Sequence, residues 1–156
     1  MNINFFMKEA IKEANKALKK NEVPIGGLIV ENSTKKIICR DYNKINSLKN
    51  AIYHCELLLI SNACKLLKSK YLENASIFLT LEPCLMCTAA LSEVHIKTIY
   101  FGAYNEQSGG VEKNKINFKK NKMFAPDVYG GINEDECKKL IKEFFAKKRK
   151  EKKFNV

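Results

Sequence analysis

The apolar patterns along this chain run helix, hairpin, helix, strand, helix, strand, loop, helix, an order that predicts a three-layer α/β domain. Two further observations agree. The 156 residues suit one domain and hardly leave room for two. Apolar residues make up 46% of them and aromatic residues 10%, enough to bury a core and too much for a disordered chain.

The elements follow in order. Phe6, Ala10, Ala14, Ala17 and Leu18 recur at helical spacing within Phe5–Lys20, and Pro24 ends the pattern. Ile25–Val30 is an apolar run entered through Gly26-Gly27 and reads as a buried strand. Asn32-Ser33 is a turn signal and Lys36–Arg40 the returning strand, so the pair forms a hairpin. Asp41–Asn50 is polar and reads as a loop. His54–Lys68 carries apolar residues throughout without a breaker, which predicts a buried helix, and Ser76–Thr80 is a short strand. Pro83 opens a helix running to about Glu93, since proline suits the first helical turn. Ile96–Phe101 has the pattern of a central strand, and Gly102–Asn121 is loop-like. Asn133–Lys150 is the last helix, with Asn133 as N-cap and Glu134, Asp135 and Glu136 where the helix dipole favours acids.

No apolar run approaches the roughly 20 residues of a membrane helix, and Met1–Ala10 lacks the pattern of a secretory signal. The expected compartment is the cytoplasm, where the six cysteines are reduced and read as ligands, nucleophiles or core residues. The net charge of +11 is concentrated: Lys113–Lys122 contributes +5 and Lys138–Lys153 contributes +7, leaving −1 for the other 130 residues. Two basic patches on a near-neutral domain point to a polyanion partner. Compositional drift is the other reading, because 26 of the 28 basic residues are lysine. Lysine heads suit attraction to a phosphate backbone better than base reading.

Two motifs carry chemistry: His54-Cys55-Glu56, and Pro83-Cys84-Leu85-Met86-Cys87. Cysteines at i and i+3 share a helix face, and at a helix start the free N–H groups stabilise thiolates. With His54 they form a sulfur, sulfur, nitrogen set that favours zinc. Cys39, Cys64 and Cys137 lack partners at ligand spacing and read as core residues, as does Cys55, the chain neighbour of His54. Three ligands leave a fourth position for water, the mark of a catalytic site. Glu56 then has a role as proton carrier for that water. Residues i and i+2 of a regular helix diverge, so His54 is expected at the helix start, outside helical geometry.

His-x-Glu followed by Pro-Cys-x-x-Cys is the signature of the zinc nucleobase deaminases. Glu22-Val23-Pro24-Ile25-Gly26-Gly27, Asn43, Thr80-Leu81-Glu82-Pro83-Cys84, Phe101-Gly102-Ala103 and Phe144-Phe145 extend the match. From about Phe5 to Arg149 the chain resembles the bacterial tRNA adenosine deaminases. The resemblance implies a cytidine-deaminase-like α/β/α fold around a mixed five-stranded sheet, with residues 1–150 as the deaminase domain and 151–156 as a basic tail. It implies one zinc ion per subunit, held by His54, Cys84 and Cys87. It implies hydrolytic deamination of the wobble adenosine of a tRNA anticodon, an arginine tRNA in bacteria, to inosine by a zinc-activated water. Glu56 shuttles protons, Asn43 and the backbone N–H of Cys55 hold the flipped base, and a homodimer completes the pocket. Asn105, Phe144, Phe145, Lys147, Lys148 and Arg149 are the expected RNA contacts.

Three residues depart from the family. Cys55 stands where alanine is usual, and Asn105 and Gln107 stand where Asp and Lys are usual. Loss of the carboxylate at Asn105 is expected to relax the preference for RNA over single-stranded DNA, unless the amide makes an equivalent hydrogen bond. The sequence is also compatible with two rival functions: a small-molecule deaminase of guanine, cytosine or nucleosides, and a non-catalytic RNA-binding module with a structural zinc.

Overall fold

The computed structural model describes residues 1–154, with side chains through 151. Its elements are α1 (Ile3–Lys19), β1 (Gly26–Glu31), β2 (Ile37–Tyr42), α2 (Cys55–Leu67), β3 (Ala75–Leu81), α3 (Leu85–Glu93), β4 (Thr98–Ala103), β5 (Asp127–Tyr129) and α4 (Glu134–Phe154). The strands form one sheet in the order β2-β1-β3-β4-β5. β1 is antiparallel to both β2 and β3, whereas β3, β4 and β5 run parallel. This is the expected mixed five-stranded sheet.

Alternation along the central strands sorts side chains between two helical layers. Leu28, Val30 and Phe78 face α1 and α4, while Ile29, Ile77, Leu79, Ile99 and Phe101 face α2 and α3. These side chains are fully buried, each worth about 1.5–3 kcal/mol relative to exposure. Phe78 stacks on Tyr100 at 4.6 Å between ring centres. α1 presents Ala10, Ala14 and Ala17 to the sheet, all fully buried. A Cβ on Gly26 would lie 2.1 Å from the backbone nitrogen of Ala14, so helix and strand touch where neither has bulk.

Several boundaries differ from the sequence reading. Asn2 caps α1 by accepting the Phe5 N–H at 3.0 Å, which starts the helix earlier. β2 continues through Asp41 and Tyr42, and Asp41 is buried with Lys44 2.7 Å from its carboxylate. Pro83 lies outside α3: Cys84 is the N-cap and Leu85 the first helical residue. Asn133 accepts the Cys137 N–H through its carbonyl at 3.1 Å, but its Oδ1 is buried without a partner and its φ is +53°. It caps α4 with backbone, not side chain. α4 itself crosses residues 150 and 151 unbroken, so the expected tail at 151–156 lies partly in this helix and partly outside the described residues.

The topology brings two helix starts together. β2 and β3 are both antiparallel to β1, hence parallel to each other, and their carboxyl ends lie on the same side of the sheet. α2 follows β2 and α3 follows β3, so both helices begin on that side, and each begin with a metal-type residue as N-cap.

Candidate active site

His54 is the N-cap of α2 in extended geometry, φ −65° and ψ 150°. This is the departure from helical geometry that the His-x-Glu spacing requires: His54 and Glu56 both line one cleft. Cys84 is likewise extended, at φ −70° and ψ 172°, and Cys87 follows in the first turn of α3. The Nδ1 of His54 lies 3.7 Å from Cys84 Sγ and 3.5 Å from Cys87 Sγ. A tetrahedron built on ordinary Zn–N and Zn–S bonds has N···S edges of about 3.6 Å. The three donors thus fit a zinc ion, and among the described residues no fourth donor of the same kind joins them.

The electrostatics suit a cation. Cys84 is held down to about 4, first by the Cys87 thiol beside it and then by His54. Cys87 is pushed up by Cys84 and by burial. Burial pushes the Glu56 carboxyl up to about 7, and its Oε2 is buried with no hydrogen-bond partner. A buried carboxylate with an unpartnered oxygen, lining the same cleft as His54 and Cys84, suits a proton carrier for a water at the fourth position.

The cleft encloses about 610 Å³ and is closed on one side by α4. Lys138, Lys142, Phe145 and Arg149 line it at spacings of three and four, one face of the helix. Asn43 is buried: its Oδ1 accepts the Cys55 N–H at 2.8 Å, and among the described residues its Nδ2 has no protein acceptor.

Four of the expected RNA contacts, Asn43, Asn105, Phe145 and Arg149, line the cleft. Cys55, Phe144, Lys147 and Lys148 do not. The Cys55 N–H, expected to meet the base, is taken by Asn43, and its buried thiol donates to the Asp41 carbonyl at 3.3 Å. Phe144 is buried because its position on α4 turns it from the cleft, whereas Phe145 is 43% exposed. Lys148 pairs with Glu151 at 3.0 Å. The carboxamide of Asn105 closes on Ser108, accepting its N–H at 3.1 Å and donating to its hydroxyl at 3.0 Å. Sequence reasoning missed Lys138 and Lys142, although their helical phase with Phe145 and Arg149 was present to be read. It also gave no role to Glu22, whose buried carboxylate accepts the N–H groups of Asn46 and Ser47 at 3.1 and 2.6 Å and orders the loop carrying Asn43 and Ile45.

An α/β/α sandwich whose two helix starts converge on a His, Cys, Cys corner with a buried acid is the architecture of a zinc-dependent hydrolytic deaminase. The family pattern for the cytidine and deoxycytidylate deaminase zinc-binding region matches residues 1–103. The chain is 41% identical over 144 residues to a tRNA-specific adenosine deaminase of Rickettsia bellii, covering 92% of this chain and 99% of that one. It is 40% identical over 150 residues to the enzyme of the same name from Bacillus subtilis, with 95% and 91% covered. A solved structure from work on A-to-I editing at the wobble position of transfer RNA superposes with a TM-score of 0.83 at 36% identity, covering 87% and 98% of the two chains. A guanine deaminase structure from Nitrosomonas europaea gives a TM-score of 0.79 at 16% identity, covering 92% and 84%, a likeness of fold alone. The chain belongs to the tRNA-specific adenosine deaminase family.

Proposed function

We propose that this protein hydrolyses the 6-amino group of the wobble adenosine in a tRNA anticodon, consuming one water and releasing ammonia to leave inosine. The observation that carries the reading is the partnerless buried oxygen of Glu56, placed with a three-donor metal corner in a cleft whose α4 wall is basic and aromatic. Zinc, when bound by His54, Cys84 and Cys87, acidifies the attacking water. Glu56 takes a proton from the attacking water and delivers it to the ring nitrogen as the hydroxide adds to C6; it then takes the proton of the added hydroxyl and passes it to the amino group, which leaves as ammonia while C6=O forms. Its raised pKa keeps both protonation states within reach near neutrality. Asn43, fixed through Oδ1, offers its Nδ2 to the extruded base, and an anticodon loop costs less to unstack than a duplex.

Lys138, Lys142 and Arg149 attract the phosphates around the flipped nucleotide, and Phe145 packs on a base. The same reading takes one zinc ion per subunit, an arginine tRNA as substrate and the cytoplasm as compartment. It places the deaminase in residues 1–150, with 151–156 as a basic tail. A homodimer is supported by Leu85 and Met86, exposed at the start of the metal-bearing helix.

The test is to sequence a tRNA pool after incubation with the protein, since inosine reads as guanosine. Adenosine converted at the wobble position supports the proposal. Ammonia released from free guanine or cytosine, with no change in the RNA, replaces it with the small-molecule reading. Glu56→Ala is expected to retain zinc and RNA binding while losing about 10²–10⁴-fold in turnover. Undiminished turnover sinks the role given to Glu56.

A further inference from the structure

Between β4 and β5 the chain runs from 104 to 126 without helix or strand, yet its first part forms a wall of the cleft through Asn105–Ser108. Something must hold it. Glu82, just after β3, is 2% exposed and meets this loop with both oxygens. Oε1 accepts the N–H groups of Val111, Glu112 and Lys113 at 3.2, 2.8 and 3.2 Å. Oε2 accepts the N–H of Asn105 at 3.0 Å. Among the described residues Glu82 has no cationic partner. A buried carboxylate without a cation is strongly disfavoured unless hydrogen-bond donors converge on it, and here four backbone donors do.

The neighbours of Glu82 grip the same loop. Pro83 accepts the Gly110 N–H at 2.8 Å, and Cys84 forms a bridge with Gly109. A Cβ on Gly109 would lie 2.3–2.4 Å from the Glu82 carboxylate, so the loop closes on Glu82 only where a side chain is absent. Glu82 therefore stands two residues from a metal donor and sets where the wall bearing Asn105 lies relative to that donor.

We propose that Glu82 is a positioning residue, its carboxylate a template on which the backbone of residues 105–113 folds into a substrate-contacting wall registered to α3. The kinetic part rests on the reading of the cleft as an RNA deaminase site; the structural part does not. The geometry makes the proposal specific. In Glu82→Gln the amide oxygen keeps the three donors of residues 111–113, and the new NH₂ faces the Asn105 N–H, donor against donor. The substitution thus releases the end of the loop that lines the cleft.

Amide hydrogen exchange followed by NMR on the zinc-loaded protein tests this, together with steady-state kinetics on an anticodon stem-loop. In the wild type the amides of Asn105, Val111, Glu112 and Lys113 are expected to be protected. Those of Glu106 and Gln107, which have no acceptor among the described residues, are expected to exchange freely. In Glu82→Gln, exchange at Asn105 rises about tenfold or more, with Ile77 and Ile99 of the core unchanged. KM for the stem-loop rises about tenfold with kcat and zinc content little changed. Gly109→Ala, which displaces the carboxylate from the loop side, gives the same KM effect and keeps the test open if Glu82→Gln does not fold. Unprotected wild-type amides at these four positions, a uniform rise across the core, or a fall in kcat at constant KM overturns the proposal. If the wild type protects these amides but does not act on RNA, the functional reading fails and the loop template stands.

Discussion

The backbone N–H of Cys55 donates to Asn43 Oδ1 at 2.8 Å, and this bond decides which end of the Asn43 amide is free. The carboxamide of Asn43 is buried at the mouth of a metal corner, and only its donor end remains for a ligand. Asn43→Asp keeps the acceptor for Cys55 and removes the donor. It is expected to lose about 10- to 100-fold in kcat/KM, as much as Asn43→Ala, because the missing hydrogen bond is the one made to the base. Cys55→Ala removes only the thiol's bond to the Asp41 carbonyl and keeps the N–H, so it retains turnover within a few-fold. Steady-state kinetics of the three variants check this; an active Asn43→Asp means the donor end is idle.

Adjacent aromatic residues on α4 are expected to separate cleanly. Phe144 is buried, so Phe144→Ala leaves a cavity and costs about 3 kcal/mol of stability. Phe145 is 43% exposed and lines the cleft, so Phe145→Ala leaves the melting temperature near wild type and weakens RNA binding by about 1–3 kcal/mol. Thermal melts beside a binding titration read both effects. The reverse assignment of the two effects means that α4 presents its other face to RNA.

What the sequence made legible follows the physics of each signal. The zinc donors were readable because His54, Cys84 and Cys87 are rare residue types at fixed spacing. Long periodic helices and the apolar strands were readable for the same reason. β5 was not visible in the residue pattern, since Asp127–Tyr129 is three residues long and is defined by its pairing with β4. Glu82 gave no sign of its role, because its partners are backbone N–H groups, which leave no mark in side-chain identity. Asn105 stood out as a departure from the family, but its identity alone gave no sign that its carboxamide closes on Ser108 while the residue lines the cleft.

Removing the metal should loosen the protein as well as silence it. The three donors join the N-cap of α2 to the first turn of α3, two helices that otherwise meet only through packing. At free zinc a hundredfold above Kd the ion adds about 2.7 kcal/mol, about 5–10 °C in melting temperature for a chain of this size. Chelation is expected to lower the melting temperature by that amount, and added zinc to restore it together with turnover. X-ray absorption on the loaded protein should report two sulfurs, one nitrogen and one further light atom. A third sulfur, or a melting temperature indifferent to chelation, contradicts the open three-donor corner.

Cys137 gives stability a pH dependence of definite sign. Burial pushes its thiol from the ordinary 9.0 up to about 12, with the Glu136 carboxylate adding to the rise. As pH climbs past 9.0 the unfolded chain releases this proton while the folded chain keeps it, so the unfolded state binds fewer protons and stability falls. The loss is about 1.4 kcal/mol per pH unit, begins near the unfolded value and is absent below it. Cys137→Ala is less stable at neutral pH because it leaves a small void behind α4, but it lacks this titration. The stability gap between wild type and Cys137→Ala should therefore narrow by about 1.4 kcal/mol between pH 8 and pH 10. Urea unfolding of both proteins at each pH measures the gap directly, and the shared lysine and tyrosine titrations cancel in the difference. A gap that stays constant across this window means that the buried thiol ionises as readily in the folded protein as in the unfolded chain.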